Sequence, residues 1–227
     1  MIGTPGPSAG RRAGVLGKPV RHSLSPVLHS AAYAAMGLTG WRYEAIECDE
    51  AGLAALLSAS GPEVSGYSCT MPLKREVLRV AAATSRAAAA IGAGNTLVRM
   101  PGSSSEWFAD NTDWIGIRDA LSARGVLPTG RVAVLGAGGT AQAALAALPD
   151  AERVTVLVRD PDRSGELVAT AGRLDREVAI GRFDEPADLD ALRNADLVIS
   201  TLPPGAADVL VEEIGEADVL LLEGCGV

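Results

Sequence analysis

The stretch from Arg131 to Leu148, RVAVLGAGGTAQAALAAL, carries the most explicit chemistry in the chain. A β-branched apolar run, Val132 to Leu135, stops at Gly136 and resumes as an alanine-rich helical segment. A strand that delivers glycines to a helix N-terminus lets backbone amides approach a phosphate, and the helix dipole favours the negative charge. Gly136 suits the tight turn, Gly138 removes a Cβ that would block a pyrophosphate, and Ala141 lets the helix lie close on the strand. The next segment, ERVTVLVRD (Glu152 to Asp160), reads as a second strand and completes a βαβ unit of the dinucleotide-binding kind. Arg159 and Arg163 follow, ~20 residues past the glycines, where an acidic residue would hold the ribose 2′-hydroxyl of NAD. A basic residue there suits a 2′-phosphate, hence NADP; Asp160 beside it argues the other way.

The other candidate groups lie earlier in the chain. Lys74 falls in the first turn of an expected helix, where a cation opposes the dipole. It is either a solvated lysine or an ammonium held beside a substrate for proton transfer. Asp113, ahead of an amphipathic run, reads as an N-cap. Ser23 and Ser25 either cap the helix that begins near Pro26 or grip an anion with two hydroxyls. His22 and His29 have no carboxylate at useful spacing and read as structural. Cys48, Cys69 and Cys225 show neither metal spacing nor a disulfide framework, so no metal is expected and a reducing cytoplasm is the default.

These groups need elements to position them. Strands are expected at Arg11 to Gly17, Trp41 to Cys48, Val64 to Cys69 and Asn95 to Met100, with a further start at Trp107-Phe108. Helices are expected from Pro26 to Met36, from Glu50 to Ala59, from Thr70-Met71-Pro72 to about Ala83, on to Ile91, and from Asn111-Thr112-Asp113 to Arg124. Later strands fall at Val178 to Phe183, Asp196 to Thr201 and Asp218 to Leu222. Strand and helix alternate throughout, which makes both halves α/β. The reading is a flexible, Pro/Gly-rich lead-in at 1–10, an α/β substrate-binding and catalytic domain at 11–112, and a Rossmann-like NADP-binding domain at 113–227. A net charge of −8 argues against a nucleic-acid or anionic-membrane partner, and no apolar run is long enough to span a bilayer.

The ordered series GKPVRHSLSPVLHS (Gly17 to Ser30), GYSCTMPLK (Gly66 to Lys74), IGAGNTLV (Ile91 to Val98), DNTDWIGI (Asp110 to Ile117) and LGAGGTAQAAL (Leu135 to Leu145) resembles the shikimate dehydrogenase family over nearly the whole chain. Five motifs in the family's order are far more specific than any one. The resemblance implies that Ser23 and Ser25 bind the shikimate carboxylate and that Thr70 and Asn95 hold ring hydroxyls. It makes Lys74 and Asp113 the catalytic pair at the C3 oxygen, and Gly136, Ala137, Gly138, Gly139, Arg159 and Arg163 the NADP site. The implied reaction is reversible NADPH-dependent reduction of 3-dehydroshikimate to shikimate, for aromatic amino acid biosynthesis, in a cleft between two α/β domains. The alternatives are a quinate/shikimate dehydrogenase using NAD and a non-catalytic relative that binds shikimate or nucleotide.

Three departures stand beside the resemblance. Ser68 takes a place where many members carry asparagine, and Asp160 one where a threonine often supports the phosphate. Val227 follows directly on a strand, where the family continues with a tyrosine-containing loop and helices that bring a glutamine to the substrate; the only glutamine here is Gln142. The expected consequences are an exposed apolar last strand, loose domain coupling and self-association, a homodimer among its forms. NADPH binding should persist, with slow shikimate turnover.

Overall fold

A computed structural model describes residues 10–214 and 218–221. Nearly all of the expected lead-in and the expected last strand beyond Leu221 lie outside the described residues, as does Cys225. The chain divides into two compact units: one holds the chain up to Ser85 and Gly94–Asp110, the other Arg86–Ala93 and the chain from Asn111.

The first unit is built on a six-stranded mixed sheet. Its strands are β1 (Arg12–Gly17), β2 (Arg42–Glu47), β3 (Val64–Cys69), β4 (Ala83–Thr84), β5 (Thr96–Arg99) and β6 (Trp107–Asp110), in the order β2-β1-β3-β5-β6-β4. β1 pairs in parallel with β2 and β3, whereas β5 runs antiparallel to both β3 and β6. Helices α1 (Ser25–Ala35), α2 (Glu50–Ala59) and α3 (Glu76–Val80) connect the strands. Alternation sorts side chains between two faces: Tyr67, Cys69 and Leu97 join the main core, while Val15, Val20 and Tyr43 pack together in a smaller cluster. α3 is much shorter than the helix expected from Thr70 to Ala83. Lys74 O accepts from Gly94 N at 2.6 Å rather than from the next helical turn, and Ala82 N pairs with Trp107 O at 2.9 Å. Bonds to residues distant in sequence thus claim the backbone at both ends of that segment.

The second unit has a five-stranded parallel sheet, with β7 (Arg131–Leu135), β8 (Arg153–Val158), β9 (Ala179–Arg182), β10 (Leu197–Ser200) and β11 (Asp218–Leu221) in the order β11-β10-β7-β8-β9. Read from the β9 edge this is third, second, first, fourth, fifth, the doubly wound order of dinucleotide-binding sheets. Both faces are covered. Val132, Val134, Val154 and Val156 pack towards α4 (Arg86–Ile91), α5 (Asp113–Ala123), α6 (Gly139–Ala147) and α7 (Gly165–Arg173). Ala133, Leu135 and Leu157 pack on the other side, towards α8 (Asp190–Arg193). A strand buried on both faces has no polar positions to alternate, which is why VAVL reads as an uninterrupted apolar run. α4 belongs here because Thr170 Oγ1 and Arg173 Nε of α7 donate to the carbonyls of Ile91 and Ala90, at 2.6 and 2.9 Å. Among the described residues no helix is long and apolar enough to cross a membrane, and no group of three His, Cys, Asp or Glu is placed to hold a metal ion.

One side chain braces the first unit's hairpin. Arg99 donates to the carbonyls of Val64, Ser60 and Gly61 at 2.9, 3.0 and 2.9 Å and to that of Ser104, with its guanidinium 4.3 Å above the Trp107 ring. A lysine cannot reproduce that planar fork. Arg99→Lys should therefore cost about 1–3 kcal/mol, a fall in melting temperature of roughly 3–10 °C, read by a thermal melt.

Candidate active site

In the first unit the candidate residues sit on three loops, those that follow β1 and β3 and the one that leads into β5. Thr70 leaves β3 with its amide donating to Leu16 O at 2.9 Å, and Lys18 N donates to Met71 O at 3.0 Å. A Cβ on Gly17 would overlap Thr70 Cγ2 and stand 2.9 Å from Met71 O, so only glycine lets the two loops approach. Cys69 N donates to Asn95 O at 2.7 Å and Asn95 N to Asp110 O at 3.0 Å. With the Gly94-to-Lys74 bond, these hold Thr70, Lys74 and Asn95 around one corner of the sheet. Thr70 is buried, and its Oγ1 has no hydrogen-bond partner among the described residues. Asn95 Oδ1 accepts from Thr96 Oγ1 at 2.8 Å, which leaves its amide hydrogens directed elsewhere.

Lys74 is half-buried and lies in a turn two residues before α3, not in a helical first turn. The opposing-dipole argument for its chemistry therefore falls away; its position in the corner replaces it. Ser23 and Ser25 are both partly buried, and Ser25 N donates to Ser23 Oγ at 3.2 Å. That local turn precedes α1, whose N-cap position is occupied by Leu24 without a side-chain bond. The carbonyl of Ser25 accepts from His29 Nδ1 at 2.9 Å, and the His29 ring stacks on Tyr43, whose hydroxyl donates to Ser68 Oγ at 2.8 Å.

In the second unit Asp113 is the first residue of α5, not its cap. Thr112 occupies the N-cap position, and the Asp113 amide donates to Asn111 Oδ1 at 3.0 Å. Asn111 is fully buried, and its Nδ2 donates to Ala93 O at 2.9 Å. The expected cap is thus supplied two residues earlier.

The glycine loop follows β7. Gly136 has φ +100°, and its amide donates to Leu157 O at 2.9 Å. A Cβ there would stand 2.7 Å from Thr201 Oγ1, and Thr201 Oγ1 itself donates to Leu135 O at 2.8 Å. Gly136 therefore marks the point where β7 and β10 diverge, the reversal of strand order at which such sheets bind ligands. No atom lies within 4 Å of a Cβ built on Gly138, so that position faces open space at the N-terminus of α6. α6 opens at Gly139, and its first intrahelical bond runs from Gln142 N to Gly138 O at 3.0 Å. First-turn amides have no partner inside a helix and point outward from its start. Arg159 and Arg163 are exposed just beyond β8, and no carboxylate among the described residues holds either. Asp160 between them is committed locally: its Oδ1 accepts from Asp162 N at 3.2 Å and caps the turn Pro161–Arg163.

Three residues escaped the sequence reading. Tyr43 is marked only by strand alternation in WRYEAIEC, Asn111 only by its place inside DNTD, and Thr201 only by ending the apolar run of β10. Asn111 and Thr201 each follow directly on the end of a strand, β6 and β10.

Residues 15–97 match the family model described as the shikimate dehydrogenase substrate binding domain. The shikimate dehydrogenase (NADP(+)) of Citrifermentans bemidjiense is 37% identical over 209 residues, which cover 86% of this chain and 68% of that protein. The chain belongs to the shikimate dehydrogenase family. The shikimate dehydrogenase of Mycobacterium tuberculosis, a crystal structure, matches with a TM-score of 0.83 at 38% identity, over 93% of this chain and 78% of that one. That of Thermus thermophilus, in complex with NADP(H) and shikimate, matches with a TM-score of 0.76 at 31% identity, over 93% and 78%. The pentafunctional AROM polypeptide of Candida tropicalis is 34% identical over 83% of this chain, which spans 12% of that polypeptide's length.

In this shikimate dehydrogenase family member the loop after β7 meets the requirements of a dinucleotide pyrophosphate: a glycine in the left-handed region, an open glycine and a helix start. Gly136→Ala combines backbone strain with a contact against Thr201. It should destabilise the protein by about 1–3 kcal/mol, seen as a lower urea midpoint at unchanged slope. An unchanged midpoint would show that the loop relaxes freely.

Proposed function

We propose that this chain catalyses the reversible NADPH-dependent reduction of 3-dehydroshikimate to shikimate. The observation that carries the reading is the corner of the first unit where backbone bonds gather Thr70, Lys74 and Asn95. Two hydrogen-bonding side chains beside an ammonium suit a polyhydroxylated ring that bears a ketone. The named ligands of the relatives support the same choice, being shikimate and NADP(H) in the Thermus thermophilus complex.

In this reading Ser23 and Ser25 donate to the substrate carboxylate, and Thr70 and Asn95 orient the ring through its hydroxyls. The Lys74 ammonium donates to the ketone oxygen and transfers a proton as negative charge develops there. Asp113 supplies the carboxylate of the acid–base pair and takes part in returning that proton. The amides of Gly136, Ala137, Gly138 and Gly139 receive the pyrophosphate, and Arg159 and Arg163 the 2′-phosphate. The bound nicotinamide supplies the hydride, and the protein's part is to orient the acceptor.

Cofactor choice is decided by the ends of β8. With Asp160 turned onto the Asp162 amide, the two guanidiniums favour NADPH over NADH by roughly 1.5–3 kcal/mol. Titrations of both cofactors test this, and replacing Arg159 and Arg163 together by alanine should bring the two affinities together. Equal affinities in the unmodified chain would sink the assignment.

The proton-transfer roles are tested by turnover. Lys74→Ala should lower turnover by about 10²–10⁴ while shikimate affinity changes less. Asp113→Asn should lose activity to a similar degree yet melt within a few degrees of the parent, because the Asn111 bond goes to the backbone amide of residue 113. Near-normal turnover in either variant removes that residue from the chemistry.

A further inference from the structure

Tyr43 lies on the face of β2 that packs with Val15, Val20 and Tyr33, and only 8% of it is exposed. Its ring stacks on the imidazole of His29 at a centroid distance of 3.9 Å and an interplanar angle of 12°. The imidazole is held in turn. His29 Nδ1 donates to the carbonyl of Ser25 at 2.9 Å, one helical turn back along α1. A flat stack fixed at its far side leaves the phenol little freedom of rotation.

The phenol's oxygen is equally constrained. It donates to Ser68 Oγ at 2.8 Å. Burial pushes its pKa up, with the bond to Ser68 acting in the opposite sense, so the hydroxyl keeps its proton at neutral pH. A serine oxygen that accepts the phenol's proton still has its own hydrogen to donate. Tyr43 is thereby bonded to Ser68 directly and tied through the His29 ring to the backbone of Ser25. Ser25 connects onward through its amide to Ser23 Oγ. A carboxylate only accepts hydrogen bonds, and those it accepts are charge-assisted, so the aim of each neutral donor matters to its binding.

We propose that Tyr43 is a positioning residue of the carboxylate site: braced by His29, its hydroxyl donates to Ser68 Oγ and so turns the Ser68 proton towards the substrate's carboxylate. The proposal rests on the reading of Ser23 and Ser25 as that site. It also gives Ser68 a use that does not depend on the longer reach of an asparagine: the tyrosine behind it sets the direction of its hydroxyl.

The test is isothermal titration of shikimate and of its methyl ester into the full chain, its Tyr43→Phe variant and its Ser68→Ala variant. Tyr43→Phe keeps the ring on His29, and Ser68→Ala leaves the stack untouched, so one of the pair remains informative if the other unfolds. Each variant should bind shikimate about tenfold more weakly, while binding of the ester changes less than about twofold. NADPH affinity should be unchanged, and in turnover KM should rise with kcat held within about threefold. Unchanged shikimate affinity in both variants overturns the proposal, as does an equal loss for acid and ester, which would make Tyr43 merely structural. A parent chain that binds NADPH but neither shikimate nor its ester overturns the carboxylate-site reading itself, and the proposal with it.

Discussion

The molecule depends on a close approach between a threonine and a glycine that is found in both sheets. In the first, the amide of Thr70 continues the ladder one residue past β3 and bonds Leu16 O, and its side chain fills the space beside Gly17. In the second, the amide of Thr201 continues past β10 and bonds Leu135 O at 3.0 Å, with its side chain beside Gly136. In both cases one strand lies between two later ones, β1 between β2 and β3 and β7 between β8 and β10, and passes its chain to one neighbour first and receives the other later. Loops leaving such a pair of strands diverge and open a crevice beyond the strand ends. A side chain on either glycine would force the threonine away and pull the loops out of register with it. Glycine in a folded position loses more conformational freedom than any other residue, about 0.5–1 kcal/mol against alanine, and that cost is accepted here for the approach it permits.

The parallel sheet is the most legible part of the chain in sequence. Strands covered on both faces read as short unbroken apolar runs, and VAVL, VTVLV and LVIS each form a strand within a residue or two of expectation. The glycine loop is legible because its chemistry is local: turn, open glycine and helix start are consecutive. Long-range competition for backbone groups is not. Nothing near Lys74 shows that its carbonyl is taken by Gly94, twenty residues on, and so the helix expected around it is replaced by a turn. Nor does the alternation of strands and helices reveal that RAAAAI packs with the second unit, since the bonds that hold it come from Thr170 and Arg173, about eighty residues later. The helix carrying those residues buries Leu167, Thr170 and Ala171, a three-and-four spacing that a stricter search for helical period would have found.

Asp160 shows why residue type alone misjudges a charged neighbour. Beside Arg159 it reads as a carboxylate competing for a ribose hydroxyl. In the fold it accepts a backbone amide two residues on, the short-range bond that aspartate makes at turns, and Arg182 is a further charged neighbour. The charge is present in both descriptions, but its direction is not. The charge of Asp160 still reaches its neighbours, Arg182 among them; what the turn takes up is one of the oxygens that would otherwise accept a ribose hydroxyl.

The same separation of duties explains the run Asp110-Asn111-Thr112-Asp113. An aspartate that capped its own helix would have its carboxylate tied to backbone amides, in a geometry set by the helix rather than by a substrate. Here the capping bond comes from the Asn111 carboxamide, whose other end is fixed to Ala93 O in a fully buried setting. Asp113 thus enters α5 as its first residue, where a negative charge is favoured by about 0.3–1 kcal/mol, without carrying the cap. An isolated reading of the run cannot divide those roles, because asparagine and aspartate cap helices about equally well. The division follows from burial: Asn111 is neutral and satisfies both ends of its amide inside the protein, which a buried carboxylate could do only at a much higher desolvation cost.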